Sequence, residues 1–401
     1  MHDVVIIGGG LVGSSLAIAL DGIGMKVALV ESAAPRVDAQ PSYDERNLVL
    51  ARASLNALQA LGVAEFYAGL TTPIRRIHVS RRGDFGAVRI AADELDLPEL
   101  GAVLPARELG NALLQRLDRC TDLQRHAPAD LVAIESKSDH VRVHLRAADG
   151  EVELHTRLLV GADGTRSMVR THFGIATADT DYKQSAIVTT LTPSRPLDGT
   201  AYERFTESGP VALLPLAAGR AGLVLTVSGD DAVAIATLDD DAFIAFVHER
   251  FGYRAGRLTR PGKRKPYPLM RSLADRLIAS RMVLVGNAAQ TVHPLGAQGF
   301  NLGLRDALTL AECLADVAGQ TRDAGAADFL ADYVAQRTED RVATTSFSDD
   351  LVHLMASDVL PLRGLRSMGF LALDRVPALK RRVALRGMGF RGRTPSKALS
   401  P

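Results

Sequence analysis

The first residues able to do chemistry stand near the amino terminus. Gly8, Gly10 and Gly13 form a Gly-x-Gly-x-x-Gly spacing directly after the apolar run 4–7. Between a strand and a helix, that spacing suits a dinucleotide. The first glycine makes the tight turn, the second lets backbone approach a pyrophosphate, and the third allows the helix to pack closely on the strand. The positive end of the helix then meets the phosphate charge. Glu31 closes the next apolar run, 27–30, where a carboxylate can accept from ribose hydroxyls. The order strand, glycine loop, helix, strand, acid argues against a glycine-rich turn without a ligand. It does not separate NAD from FAD.

Two further groups follow. Gly161-Ala162-Asp163-Gly164 comes after the apolar run 158–160. Gly286-Asn287-Ala288-Ala289-Gln290 comes after 282–285 and leads through His293 and Pro294 to Gly299 and Asn301. Either motif alone is ordinary turn chemistry. The glycines of 296–299 let backbone N–H groups converge at the start of a helix marked by Leu304, Ala307, Leu308 and Ala311, whose positive end can stabilise a negative charge.

The elements that must position these motifs are of two textures. Apolar runs near both ends and around 158–160 alternate with helical periodicity. Residues 182–271 read as short strands broken by one helix near 241–251, and Ile77, Val79, Val88 and Ile90 alternate as a hairpin about Gly83-Asp84. The expected fold is α/β: a Rossmann-like nucleotide-binding domain with an inserted antiparallel β-sheet domain and a helical C-terminal tail, which the resemblance drawn below makes an FAD-binding domain and a substrate domain. The expected division is 1–71, 97–181 and 274–345 for the nucleotide domain, 72–96 and 182–273 for the sheet domain, and 346–401 for the tail.

Composition narrows the class. The 401 residues are 47% hydrophobic and 23% charged, an ordinary balance for a soluble globular chain. Forty-seven basic against 46 acidic residues leave a net charge of +1, so no nucleic-acid partner is expected. The two cysteines, Cys120 and Cys313, lie in no metal-ligand pattern, so no metal is expected and a reducing cytoplasm fits. The apolar stretch 4–20 is too short and too rich in glycine for a membrane span, and no basic segment precedes it as in a signal peptide. The basic charge is unevenly placed: from Pro361 onward ten Lys/Arg face one acid, Asp374. Val376, Leu379 and Val383 recur there at helical spacing among Lys380, Arg381, Arg382 and Arg386. Such an end is expected to contact the inner face of a membrane or partner proteins, unless its apolar stripe packs on the body.

Taken in this order, the three motifs resemble those of the group A flavoprotein monooxygenases, the aromatic-ring hydroxylases with the p-hydroxybenzoate hydroxylase fold. Segments 286–312, 203–216 and 77–86 are similar to the ubiquinone-biosynthesis hydroxylases, most of all to the 2-polyprenyl-6-methoxyphenol hydroxylase branch. The resemblance implies FAD as cofactor, NAD(P)H as transient reductant and oxygen as co-substrate. It implies hydroxylation of a polyprenylated methoxyphenol in ubiquinone biosynthesis through a flavin hydroperoxide. Residue by residue, it assigns Gly8, Gly10, Gly13 and Glu31 to the ADP part of FAD, and Arg46, Arg107 and Asp163 to further nucleotide contacts. Asn287 takes the place of a commoner aspartate against the ribityl chain, and Gly299 and Asn301 belong to the flavin loop. His293, Pro294 and Tyr267 are candidates for the ring environment, with Phe205 as a further pocket lining. The competing roles are loop-holding for His293 and core packing for Tyr267 and Phe205. Two other readings stay open: a non-catalytic FAD-holding scaffold, for which Asn287 is the best argument, and a flavoprotein acting on another aromatic or isoprenoid substrate. A halogenase is disfavoured because the chain has no tryptophan.

Overall fold

The computed structural model describes residues 1–34, 46–293, 298–319, 322–356, 359–391 and 393–399. The β-branched run at the amino terminus becomes the central strand His2–Ile7, with Val4 to Ile7 buried. It pairs in parallel with Val27–Val30 on one side and Gly150–Gly161 on the other. Leu123–His126 and Met282–Leu284 extend the sheet outward, also in parallel. Because these strands run the same way, Ile7, Val30, Gly161 and Leu284 all end at one edge. Three motifs far apart in sequence therefore emerge side by side at the carboxyl edge, where open α/β sheets bind ligands. Helix Leu11–Ala19 leaves the glycine loop, and helix Gln298–Val317 packs along it.

The second sheet has nine strands. Most pairings are antiparallel, but Arg76–Arg81 joins Thr200–Thr206 in parallel, a departure from a purely antiparallel insert. It arises because the hairpin Arg76–Arg81 and Ala87–Ala91 is supplied by an earlier excursion of the chain. Helix Asp240–Phe251 covers one face of this sheet, burying Phe243, Val247 and Phe251 against Ile187, Leu213, Leu223 and Leu225. The Asp239 carboxylate caps that helix by accepting from the Ala242 N–H at 2.8 Å, a contact worth about 1 kcal/mol.

The two halves are joined by continuous elements. Strand Thr177–Pro193 crosses the expected boundary at 181/182, strand Lys265–Ala274 crosses 273/274, and helix Ala327–Ala356 runs through 345/346. Thr72–Ile74 pairs with Gly101–Pro105, which also pairs with Asn47–Ala51, in a small third sheet. The tail is helical, as Leu360–Arg375, Pro377–Gly387 and Ser396–Leu399. Pro377 opens the second of these, at a position where its missing N–H costs nothing. Phe205 does not line a pocket. It is 2% exposed, in a cluster with Val88, Ile90, Phe370 and Met388 that seats the tail on the hairpin.

Candidate active site

The glycine loop separates packing from binding. Gly8 has φ +106°, and a Cβ there would lie 2.5 Å from the Ala162 carbonyl oxygen. A Cβ at Gly13 would lie 1.9 Å from the Gly8 carbonyl oxygen, so strand and helix meet only because that side chain is absent. At Gly10 a Cβ would meet nothing within 4 Å. Gly10 caps helix Leu11–Ala19 without a side-chain hydrogen bond, and the first turn holds no acid. The first turn thus brings no carboxylate of its own to the N-terminal N–H groups. Glu31 accepts from the Gly9 N–H at 2.7 Å and from the Ala33 N–H at 2.9 Å. Its carboxylate holds the loop while bordering a cleft lined by Gly9, Ser14, Leu29 and Arg125.

Asp163 lies against Gly8 on the neighbouring strand end. Its Oδ2 accepts from the Val169 N–H at 3.1 Å, while its buried Oδ1 has no partner among the described residues. An unmatched buried carboxylate oxygen is costly and is relieved by a ligand that brings a donor. Asn287 stands exposed on the turn Gly286–Ala288, between buried Gly286 and Ala288, with no partner among the described residues. The open cradle at Gly10, the unmatched Asp163 oxygen and the outward Asn287 amide sit along one sheet edge, and together they fit FAD.

What holds the Asn287 turn was not foreseen from the sequence. Asp306 on helix Gln298–Val317 is 3% exposed and accepts from the Gly286 N–H at 3.1 Å, Gln290 Nε2 at 2.5 Å and Arg337 Nε at 2.8 Å. Arg337 also reaches Asp340 at 2.9 Å, and Asp340 pairs with buried Arg305 at 2.7 Å. Burial raises the Asp340 carboxyl, but Arg305 and Arg337 more than offset it and hold it below its ordinary range. The sequence signal was present as Arg305-Asp306, two charges placed side by side between the apolar positions Leu302, Leu304, Ala307 and Leu308.

Asn301 is also a strut. Its Oδ1 accepts from the Ala51 N–H at 2.9 Å and Ser54 Oγ at 2.7 Å, and its Nδ2 donates to the Val49 carbonyl at 2.9 Å. The side chain expected to touch the cofactor instead ties the flavin-loop helix to strand Asn47–Ala51. Gly299 lies in the first turn of that helix. Pro294 lies outside the described residues.

Arg46 and Arg107 emerge from the same end of the ladder formed by Asn47–Ala51 and Gly101–Pro105. The Arg46 guanidinium lies 5.5 Å above the Tyr267 ring, and Lys265 approaches the same ring at 5.3 Å. Tyr267 is half-buried. Arg107 pairs with Glu108 at 3.4 Å. His293 is 1% exposed, with the Tyr182 ring set edge-on at 4.9 Å. Burial pushes its pKa down to about 4, so it is neutral near pH 7 and a poor acceptor for a phenol proton. Its burial against Tyr182 suits the loop-holding role.

Glu203 is the further side chain missed in the sequence. On strand Thr200–Thr206 it shares a face with Ala201 and Phe205 and is flanked by Val79 and Ala212. Ala201 packs toward Val49 and Val103 of the nucleotide half, while Phe205 and Val79 pack toward the tail, so Glu203 stands between the two contacts. Glu203 keeps accessible surface, yet burial alone pushes its carboxyl up to about 7.

A parallel sheet that gathers a phosphate cradle, an acid and a flavin-loop helix at one edge, joined to a second, mostly antiparallel sheet, defines a flavoprotein of the hydroxylase type. A family model described as an FAD binding domain matches residues 1–348. The chain belongs to this family and is an FAD-dependent aromatic hydroxylase. It is 36% identical over 387 residues to ubiquinone hydroxylase UbiL of Rhodospirillum rubrum, covering 96% of this chain and 89% of that one. It is 30% identical to the 3-demethoxyubiquinol 3-hydroxylase of Escherichia coli, covering 96% and 98%. The crystal structure of p-nitrophenol 4-monooxygenase PnpA from Pseudomonas putida superposes with a TM-score of 0.79 at 19% identity, over 98% of this chain and 99% of that one, a likeness of fold.

Asn287→Asp is expected to retain FAD as well as the natural chain or better, since both side chains offer a carbonyl-type acceptor. The flavin-to-protein ratio after gel filtration measures this. Flavin expelled by the substitution would mean that the turn faces other anions.

Proposed function

We propose that the protein hydroxylates the aromatic ring of a polyprenylated methoxyphenol in ubiquinone biosynthesis, with NAD(P)H as reductant and oxygen as co-substrate. The observation that carries this reading is the likeness to a ubiquinone hydroxylase along nearly the whole chain. Bound FAD supplies the oxygen chemistry. The protein supplies placement: the Gly10 cradle for the pyrophosphate, Asp163 Oδ1 as an acceptor, and Asn287 beside the flavin-loop helix. Glu203, flanked on the sheet by Val79 and Ala212, offers one carboxyl to the ring. With a pKa of about 7, that carboxyl is matched to accepting a phenolic proton, which activates the ring carbons for attack.

Incubation with NAD(P)H and prenylated methoxyphenols, followed by mass analysis, is expected to give a product heavier by one oxygen. Glu203→Gln should keep its FAD and lose kcat/KM roughly a hundredfold. Oxygen uptake indifferent to every phenol would favour the non-catalytic scaffold, and product formation by Glu203→Gln at the natural rate would remove Glu203 from the reaction.

A further inference from the structure

The first tail helix, Leu360–Arg375, is amphipathic in the inverted sense. Its body-facing side carries Arg366 and Ser367, 5% and 1% exposed, beside Phe370. Arg366 pairs with buried Asp84 at 2.8 Å, Arg363 donates to the Gly83 carbonyl at 2.7 Å, and Asp374 takes both the N–H and the guanidinium of Arg89. The charges of that body-facing side are thus spent on the hairpin. Its outward side carries Leu365, Met368 and Leu371, spaced three apart, with Leu365 61% and Met368 58% exposed. The hairpin tip adds Phe85, also 61% exposed, and the adjoining Gly86 packs against Leu371. Val376 and Leu379 continue the exposed apolar surface into the second tail helix.

The cations at this surface are not spent. Arg375, Arg381, Arg382 and Arg386 are all exposed and enter no ion pair among the described residues. The face therefore differs from the one expected from sequence. Val383 is half-buried and Lys380 reaches Glu94 at 3.1 Å, so both turn from the outward side, and the apolar stripe lies mainly on the helix before Pro377.

We propose that this face docks on an anionic lipid bilayer, the two tail helices lying in the interface plane. Exposed leucine and methionine gain by entering the headgroup–acyl boundary, and unpaired arginines beside them gain from lipid phosphate and carboxylate. A second copy of the chain is a poorer occupant, because a twofold contact would set these arginines against their own equivalents. No described helix is long and apolar enough to cross a membrane, so the attachment is by surface contact. The inference does not rest on the identity of the phenol, and its test needs no turnover.

Flotation of the full-length, FAD-loaded protein with phosphatidylcholine vesicles, with and without phosphatidylglycerol, decides it. The natural chain is expected to float with the anionic vesicles. Leu365→Gln combined with Met368→Gln and Leu371→Gln should lower the bound fraction about tenfold at unchanged FAD content. Arg375→Gln with Arg381→Gln and Arg382→Gln should remove most of the preference for phosphatidylglycerol, also about tenfold. Absence of natural-chain binding, or binding that neither triple variant changes, would overturn the proposal. So would a dimer in solution that the apolar triple variant dissolves, since a second copy would then cover the face.

Discussion

Gly10→Val is expected to give a folded protein that has lost its flavin. The backbone at Gly10 lies at φ −67°, which valine adopts without strain, and a Cβ there meets nothing within 4 Å. The fold should therefore tolerate the substitution, with a change of well under 1 kcal/mol beyond ordinary surface effects. The new methyl groups would instead occupy the space through which a pyrophosphate reaches the N–H groups of helix Leu11–Ala19. Retention of FAD should fall at least a hundredfold, read as visible absorbance per protein after desalting. Stability must be compared between flavin-free forms, because a bound ligand itself stabilises the native state. Gly13→Val is the contrasting case. Its Cβ would lie 1.9 Å from the Gly8 carbonyl oxygen, so that variant should fail to fold rather than fold empty. A yellow Gly10→Val protein would show that the pyrophosphate does not pass Gly10.

The contrast between these glycines marks what the sequence made legible. Gly8, Asp163 and Gly286 were readable because each comes after a short apolar run, and parallel strands deliver such turns to one edge whatever the loops between them do. The same reasoning does not reach side chains whose role depends on a distant partner. Asn301 looks like a loop residue facing a ligand, but Ala51, Ser54 and Val49, some 250 positions earlier, claim its amide. Phe205 follows the strand alternation correctly, yet the face it joins is covered by helices that arrive at the end of the chain. His293 has no local feature that announces burial, and burial alone lowers its pKa to about 4. In the tail, helical spacing gave the helices but not their rotation. Asp84 and Glu94, both on the earlier excursion, decide which cations turn inward.

Asp306→Ala is expected to cost about 3–5 kcal/mol of stability and to loosen FAD as well. The carboxylate is buried and serves three donors, so truncation leaves the Gly286 N–H, the Gln290 amide and one edge of Arg337 without an acceptor. Arg337 would then depend on Asp340, which is already shared with Arg305. Removing one partner of a buried ion pair is costly because the remaining charge stays desolvated. Glu65→Gln provides the comparison. It breaks the pair with Arg119 at 2.7 Å, in which both side chains are more than half exposed, and should change stability by less than about 1 kcal/mol. Asp306→Asn separates the two functions of the residue. It keeps an acceptor for the Gly286 N–H and loses the charge opposite Arg337, so stability should fall more than FAD affinity does. Urea unfolding of the flavin-free forms and flavin dissociation rates of the loaded forms measure the two effects independently. If Asp306→Ala matched Glu65→Gln in both, the buried network would contribute neither stability nor the shape of the Asn287 turn, and the flavin edge would have to be held by the sheet alone.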